Sequence, residues 1–223
     1  MKSPIVFQDL EKELAPVATR LTGRVLNAGC GDRDISSFLN ANGAAQVDNC
    51  DRRSSIPNAI LCDLVDIPIE SGVYDSILCN AVLEHVQFPD RVMAELRRVL
   101  KPGATLVVCV PFLQAYHPKP DYRRYSREGM LELARVHDFE VLEILPVHSL
   151  AQTVTWIAWT YLAERRRHVL QALLWLPFYA WNRLSEKSDF KESDQANGYQ
   201  MVLRKPILAA AENDHPRELT SVA

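Results

Sequence analysis

The sequence predicts an α/β fold: a doubly wound, mostly parallel sheet with helices on both faces. Three observations carry that reading. Short apolar runs of strand length recur through residues 24–110, as "RVLNAG", "AQVDNC", "NAILCD", "DSILCN" and "ATLVVCV". These runs are continuous rather than alternating, as strands buried on both faces require, and helical patterns such as "ISSFLNAN" and "PDRVMAELRRVL" lie between them. The first run ends in Gly29-Cys30-Gly31, a turn that lets a strand pass sharply into a helix.

The elements follow in order. A polar start predicts a helix over 7–20 broken at Pro16, because proline lacks the N–H that a helix interior needs. After the first strand and the short helix come the runs ending at Asp51, Asp63 and Asn80. The helix over 89–100 has Pro89 at its start and Val92, Leu96, Val99 and Leu100 on one face, and Lys101-Pro102-Gly103 forms its stop. A further helix over 127–136 begins behind Ser126 as N-cap and leads into the strand "FEVLEIL". "GYQMVLRKP" is one more strand, ended by Pro206, and residues 207–223 read as a flexible tail.

Bulk properties narrow the function. A net charge of -3 provides no basic field for a phosphate backbone, so nucleic acid is not expected as a partner. The five cysteines form no C-x-x-C pair and lie in or beside apolar runs, which reads as buried thiols in a reducing compartment. The charged start lacks the apolar core of a secretory signal, so a cytoplasmic location is expected, with the inner face of a membrane left open.

Gly-x-Gly alone serves a structural turn as readily as a ligand loop. A dinucleotide loop has a third glycine where this chain has Asp34, preceded by Asp32, and two carboxylates would repel a pyrophosphate. Asp51, about twenty residues beyond the loop, stands at a strand end where an acid accepts hydrogen bonds from a ribose diol. Asp48 is the alternative if the register slips. Asp63, after the next strand, can accept from an adenine amino group. Each acid alone reads as a solvated loop residue or helix cap; together with the glycine turn they point to a nucleoside.

The runs "VLNAGCG", "CD" and "YDSILCNAVLEHVQFPDRVMAELRRVLKPGATLVVCVPF" resemble class I S-adenosylmethionine-dependent methyltransferases of the small-molecule, type-11-like branch. The resemblance covers about residues 24–145, and "GYQMVLRKP" is similar to that family's antiparallel last strand. It implies a seven-stranded Rossmann-like sheet and S-adenosylmethionine as cofactor, held by Asn27, Ala28, Gly29, Gly31, Asp51, Cys62, Asp63, Leu64 and Asn80. The family usually carries an acid at Asn27 and often a glycine at Arg33. Asn27 would supply hydrogen bonds to the methionine part without negative charge, a charge that Asp32 could partly replace. A narrower resemblance, in "PFLQAYHPKPDYRRYSREGM", is to bacterial methyltransferases associated with surface glycans, lipids or secondary metabolites, and implies that this loop faces the acceptor.

Methyl transfer needs donor and acceptor held in line, and a base where the nucleophile loses a proton. His117 and His85 are the catalytic candidates, each with a structural alternative as a packed or anchoring loop histidine. Asp121, Tyr122, Arg124 and Tyr125 could wall the acceptor, with a salt-bridged surface turn as the alternative. No metal ligand set is evident. Residues 149–184 hold all four tryptophans around the basic run 165–168 and are too interrupted to span a membrane. They read as a lid over an apolar acceptor, as an interfacial hairpin, or as structure packed on the core or a second subunit.

The expected organisation is thus a helical segment over 1–22, a cofactor-binding core over 23–148, a helical lid or interfacial insertion over 149–190, the last core strand over 191–206 and a tail over 207–223. The expected function is O-methylation of a small-molecule, glycan or lipid-linked acceptor in secondary-metabolite or cell-surface biosynthesis. The alternative is a non-catalytic module that binds cofactor or a partner. Peripheral membrane contact and a homodimer stay open. A nicotinamide oxidoreductase is disfavoured by Asp34 and by the lack of a Tyr-x-x-x-Lys pair.

Overall fold

In the computed structural model, which describes residues 9–114, 116, 120–185 and 196–207, seven strands form one sheet in the order β3-β2-β1-β4-β5-β7-β6. The strands are β1 (Gly23–Ala28), β2 (Ala44–Asp51), β3 (Ile60–Leu61), β4 (Tyr74–Asn80), β5 (Leu100–Pro111), β6 (Glu140–Val147) and β7 (Gly198–Arg204). β3, β2, β1, β4 and β5 pair in parallel, whereas β7 runs antiparallel to both of its neighbours.

Successive strand residues point to opposite faces, and here both faces are apolar because both are covered. On one face Val25, Leu78 and Val107 pack with Leu14 and Val17 of α1 (Leu10–Ala18), Leu21, and Leu39 of α2 (Ser36–Ala41). On the other, Leu26, Ile77 and Leu106 meet Val92, Met93 and Leu96 of α3 (Pro89–Val99) and Met130 of α4 (Arg127–Val136). Residues 92, 93, 96 and 99 are fully buried along one stripe of α3, each side chain contributing about 1.5–3 kcal/mol.

Two expectations change in detail. α1 continues through Pro16 to Ala18 instead of breaking there. Leu14, Val17 and Ala18 are wholly buried and hold the last turn, and Gln200 of β7 donates from Nε2 to the Glu13 carbonyl at 2.8 Å. Lys101-Pro102-Gly103 follows the end of α3 but already belongs to β5, with Gly103 at φ +78° and its N–H donating to Lys205 O. Two further helices, α5 (Leu150–Glu164) and α6 (His168–Ser185), lie between β6 and β7.

Ser126 caps α4 by accepting from Gly129 N at 3.1 Å. Ser126→Ala is expected to lower the unfolding free energy by about 1 kcal/mol, and Leu96→Ala by about 2–5 kcal/mol. Urea denaturation of both variants measures the difference.

Candidate functional site

The strand order reverses at β1, which hands the chain to β2 on one side while β4 lies on the other, and a crevice opens above their carboxyl ends. Gly29 lines it at φ +75°, and a Cβ there would fall 2.2 Å from Val82 Cγ2. Gly31, at φ +55°, faces open space. The loop is tied to the end of β2: Gly29 N donates to Cys50 O at 2.7 Å, and Gly31 N to Asp51 Oδ2 at 2.9 Å. Asp32 accepts from Ser55 N and Oγ, and Asp34 accepts from Ser36 N where α2 begins. These bonds hold both carboxyls below the ordinary range, so Asp34, in place of a third glycine, and Asp32 before it fasten neighbouring turns.

Two hollows meet at Ala81. The larger, about 480 Å³, is lined by Gly29, Asp51, Asp63, Leu64, His85 and Tyr122 among others. The smaller, about 230 Å³, includes Glu13, Arg33, Asn80, Glu84, Gln114 and His148 in its wall. Ala81 lines both at φ +55°, and His148 has φ +60°. Left-handed backbone at non-glycine residues costs of order 1–3 kcal/mol and concentrates at ligand sites. Asp51 and not Asp48 is the acid in the cleft, because Asp48 accepts from Arg24 Nη2 at 2.7 Å and Tyr74 OH at 3.1 Å. Asp63 accepts from Val65 N and has Arg52 Nε at 3.7 Å from its second oxygen.

Glu84 lies in the 3₁₀ turn Leu83–His85 that follows β4, and it is fully buried. Apart from its own backbone N–H, no donor among the described residues reaches either carboxylate oxygen. Burial therefore raises its pKa. His85 Nε2 is 3.7 Å from Glu84 Oε1, and His85 Nδ1 bonds the Pro120 carbonyl. A carbonyl only accepts, so Nδ1 carries a hydrogen and the lone pair of a neutral ring sits on Nε2, facing Glu84. On the far wall of the small chamber His148 Nε2 pairs with Glu13 Oε2 at 3.2 Å.

The sequence candidates divide. Gly29, Asp51, Asp63, Leu64, His85 and Tyr122 come together on the large cleft, and Asn80 lines the small chamber. Ala28 is the buried end of β1. Asn27 is buried, its Nδ2 donating to Asn49 Oδ1 at 2.8 Å across the strand pair, and it lines neither hollow. Cys62 packs its sulfur against Cys50 Sγ at 2.8 Å. Asp121 and Arg124 form a bidentate pair. Tyr125 is buried with its hydroxyl on Leu83 O, and burial pushes its pKa up to about 12. Tyr122 N bonds Glu84 O, which draws this loop over the large cleft. His117 lies outside the described residues. Glu84, Glu13 and His148 were missed. Glu84 falls within the run "YDSILCNAVLEHVQ" that carries the resemblance, but nothing in the local pattern signals its burial, and the other two reach the chamber only through tertiary packing.

Residues 26–108 match the family model described as a methyltransferase domain, Methyltransf_11. Residues 26–108 therefore carry a methyltransferase domain of this kind. Malonyl-[acyl-carrier protein] O-methyltransferase of Enterobacter lignolyticus is 28% identical over 102 residues, covering 42% of this chain and 41% of that protein. The chain spans less than half the length of the curated relatives it matches. Among solved structures, the [4+2]-cyclase SpnF superposes with TM-score 0.59 at 23% identity, covering 88% of this chain and 81% of that one. Burkholderia thailandensis 1,6-didemethyltoxoflavin-N1-methyltransferase superposes with TM-score 0.56 at 16% identity, covering 88% and 80%. At such identities the likeness is one of fold.

The cofactor of this methyltransferase domain is S-adenosylmethionine, and the cleft suits its nucleoside. Asp51 has acceptor capacity for a diol, Leu64 and Val65 offer apolar surface, and Gly29, which has no side chain, lets a ligand approach the backbone closely, whereas Gly31 does not line the cleft. Asn27, which the resemblance places at the methionine part, is committed to Asn49 and carries no charge. For the glycine loop, Gly29→Ala is expected to destabilise the domain more than Gly31→Ala, since only the first meets Val82. Adding Val82→Ala should recover part of the loss, and a double-mutant cycle on melting temperatures reads the coupling.

Proposed function

We propose that the chain transfers a methyl group from S-adenosylmethionine to a hydroxyl of a small-molecule, glycan or lipid-linked acceptor in secondary-metabolite or cell-surface biosynthesis. The observation that carries this reading is the junction at Ala81 of a nucleoside-sized cleft with a smaller chamber walled by acids and a histidine. When bound, the cofactor supplies a methyl group already activated on a sulfonium.

The chain's own residues then bind, orient and manage a proton. Asp51 would accept from the ribose diol while keeping its bond to the Gly31 N–H, so the loop closes on its ligand without losing its tether. Asp63, at the end of β3, would accept from the adenine amino group. The chamber beyond Ala81 would hold the acceptor. His85, which lines the large cleft and is oriented by the Pro120 carbonyl, would take the proton at Nε2 from a hydroxyl brought to the junction at Ala81, and Glu84, 3.7 Å away, would stabilise the imidazolium that results. Oxygen is favoured over nitrogen as the target because a buried carboxyl–imidazole pair suits a nucleophile that must lose a proton. The malonyl-[acyl-carrier protein] O-methyltransferase relationship points the same way. A second reading, a module that binds cofactor without transferring methyl, draws on the uncharged Asn27.

Isothermal titration with S-adenosylmethionine and with the demethylated product tests the binding half of the proposal. Asp51→Asn is expected to weaken both by about 10- to 100-fold, as loss of charge-assisted bonds implies. An acceptor screen with labelled methyl then separates transfer from binding alone.

Glu84→Gln makes an opposite pair of demands. An acid whose pKa is raised on folding holds its proton more tightly in the native state. Native stability therefore falls as pH climbs from the unfolded carboxyl value towards the folded one. The variant should be more stable than the parent at neutral pH, should lose that advantage in acid, and should turn over more slowly. Melting curves against pH, beside kcat, check both.

A further inference from the structure

α5 and α6 bury polar side chains between them, beside Trp159 and Leu162, while they leave a run of apolar ones outside, against the usual pattern of soluble helices. Asn182 Nδ2 donates to Thr155 Oγ1 at 2.9 Å, and Gln171 Nε2 to the Trp159 carbonyl at 3.3 Å, both inside the hairpin. Gln171, Asn182 and Thr155 are all at most 4% exposed. The outer stripe of α6 is Val169, Leu173, Leu176, Ala180 and Leu184, at helical spacing over its whole length. Val169 is 74% exposed, Leu173 68%, Leu176 66% and Leu184 76%. On α5, Val154, Ile157 and Tyr161 are exposed at the same spacing. Single exposed leucines are ordinary; a stripe of this length marks a surface that something apolar covers.

Charge selects the occupant. Arg165, Arg166 and Arg167 sit in the turn between the helices, Arg183 lies near the far end of α6, and α6 contains no Asp or Glu. Pairing with a second copy through this face would bring cationic ends to a stripe with no carboxylate to receive them. An anionic lipid surface supplies both the apolar layer and the countercharge. No described helix is long and apolar enough to cross a membrane, so contact is in the plane of the interface.

We propose that the α5–α6 hairpin docks this domain on anionic bilayers, with the α6 stripe immersed and Arg165–167 among the headgroups. The surface is independent of the cofactor cleft, so it stands or falls apart from the methyl-transfer reading. The test is flotation of the full chain with phosphatidylglycerol-containing vesicles and with pure phosphatidylcholine vesicles. Recovery with anionic vesicles should exceed that with neutral ones at least tenfold and fall with added salt. Leu173→Glu with Leu176→Glu should abolish flotation while melting temperature stays near the parent's, and Arg165→Glu with Arg166→Glu should remove the anionic preference. The proposal is overturned if the folded parent stays with neither vesicle, or if the leucine variant floats as well as the parent. It is equally overturned if light scattering shows a dimer that the leucine variant splits and no flotation occurs, which would give this face to a second copy.

Discussion

Because β1 delivers the chain to β2 on one side while β4 pairs on its other side, the loops leaving their carboxyl ends must diverge, and backbone cannot fill the space between them. The chain meets this constraint with its least bulky residues. Gly29 and Ala81 stand on the two sides of the gap, both at positive φ, and Val82 fills the space that a side chain at position 29 would take. Asp51 then locks the glycine loop through the Gly31 N–H, so the group that would bind a ribose also holds the loop in place. On the proposed reading, ligand recognition and local stability would share one carboxylate.

Glu84 shows the opposite economy. Its burial, with no donor among the described residues beyond its own backbone, disfavours its charged form, a cost that the proposed role beside His85 would explain. It adjoins His85 in the turn that also receives the Tyr122 N–H, so the cofactor cleft, the small chamber and the loop over 120–125 all meet around a single 3₁₀ turn. Strained backbone at Ala81 and His148 on the same walls fits that concentration of cost at one end of the sheet.

The sheet was legible because burial on both faces makes each strand a continuous apolar run, and because the caps are local: Ser126 needs only the N–H of Gly129 to mark a helix start. Strand-end residues were legible for the same reason, since Asp51 and Asp63 follow their runs directly. What escaped was set by partners far along the chain. Asn27 looked available until Asn49 claimed it across the strand pair, and Asp121 and Arg124, expected either to wall an acceptor or to brace a salt-bridged turn, pair with each other. Pro16 failed to end its helix because Leu14, Val17 and Ala18 are anchored by the sheet beneath them. Local propensity gave way each time to tertiary packing.

The fold itself does not choose the chemistry, since a cyclase and an N-methyltransferase superpose on this chain about equally well. What distinguishes one such domain from another is therefore what surrounds the shared cleft. In this chain the additions have opposite characters: a small chamber bearing acids and a histidine at the sheet's carboxyl end, and a helical pair with an exposed apolar stripe before β7. The first narrows what can sit beside a nucleoside, through charge and size. The second lines neither hollow and, on the membrane proposal, would decide where the domain resides. An acceptor presented at a lipid surface would join the two, because a domain held at an interface searches a layer instead of a volume, and a 230 Å³ chamber needs to enclose only the reacting end of a longer molecule.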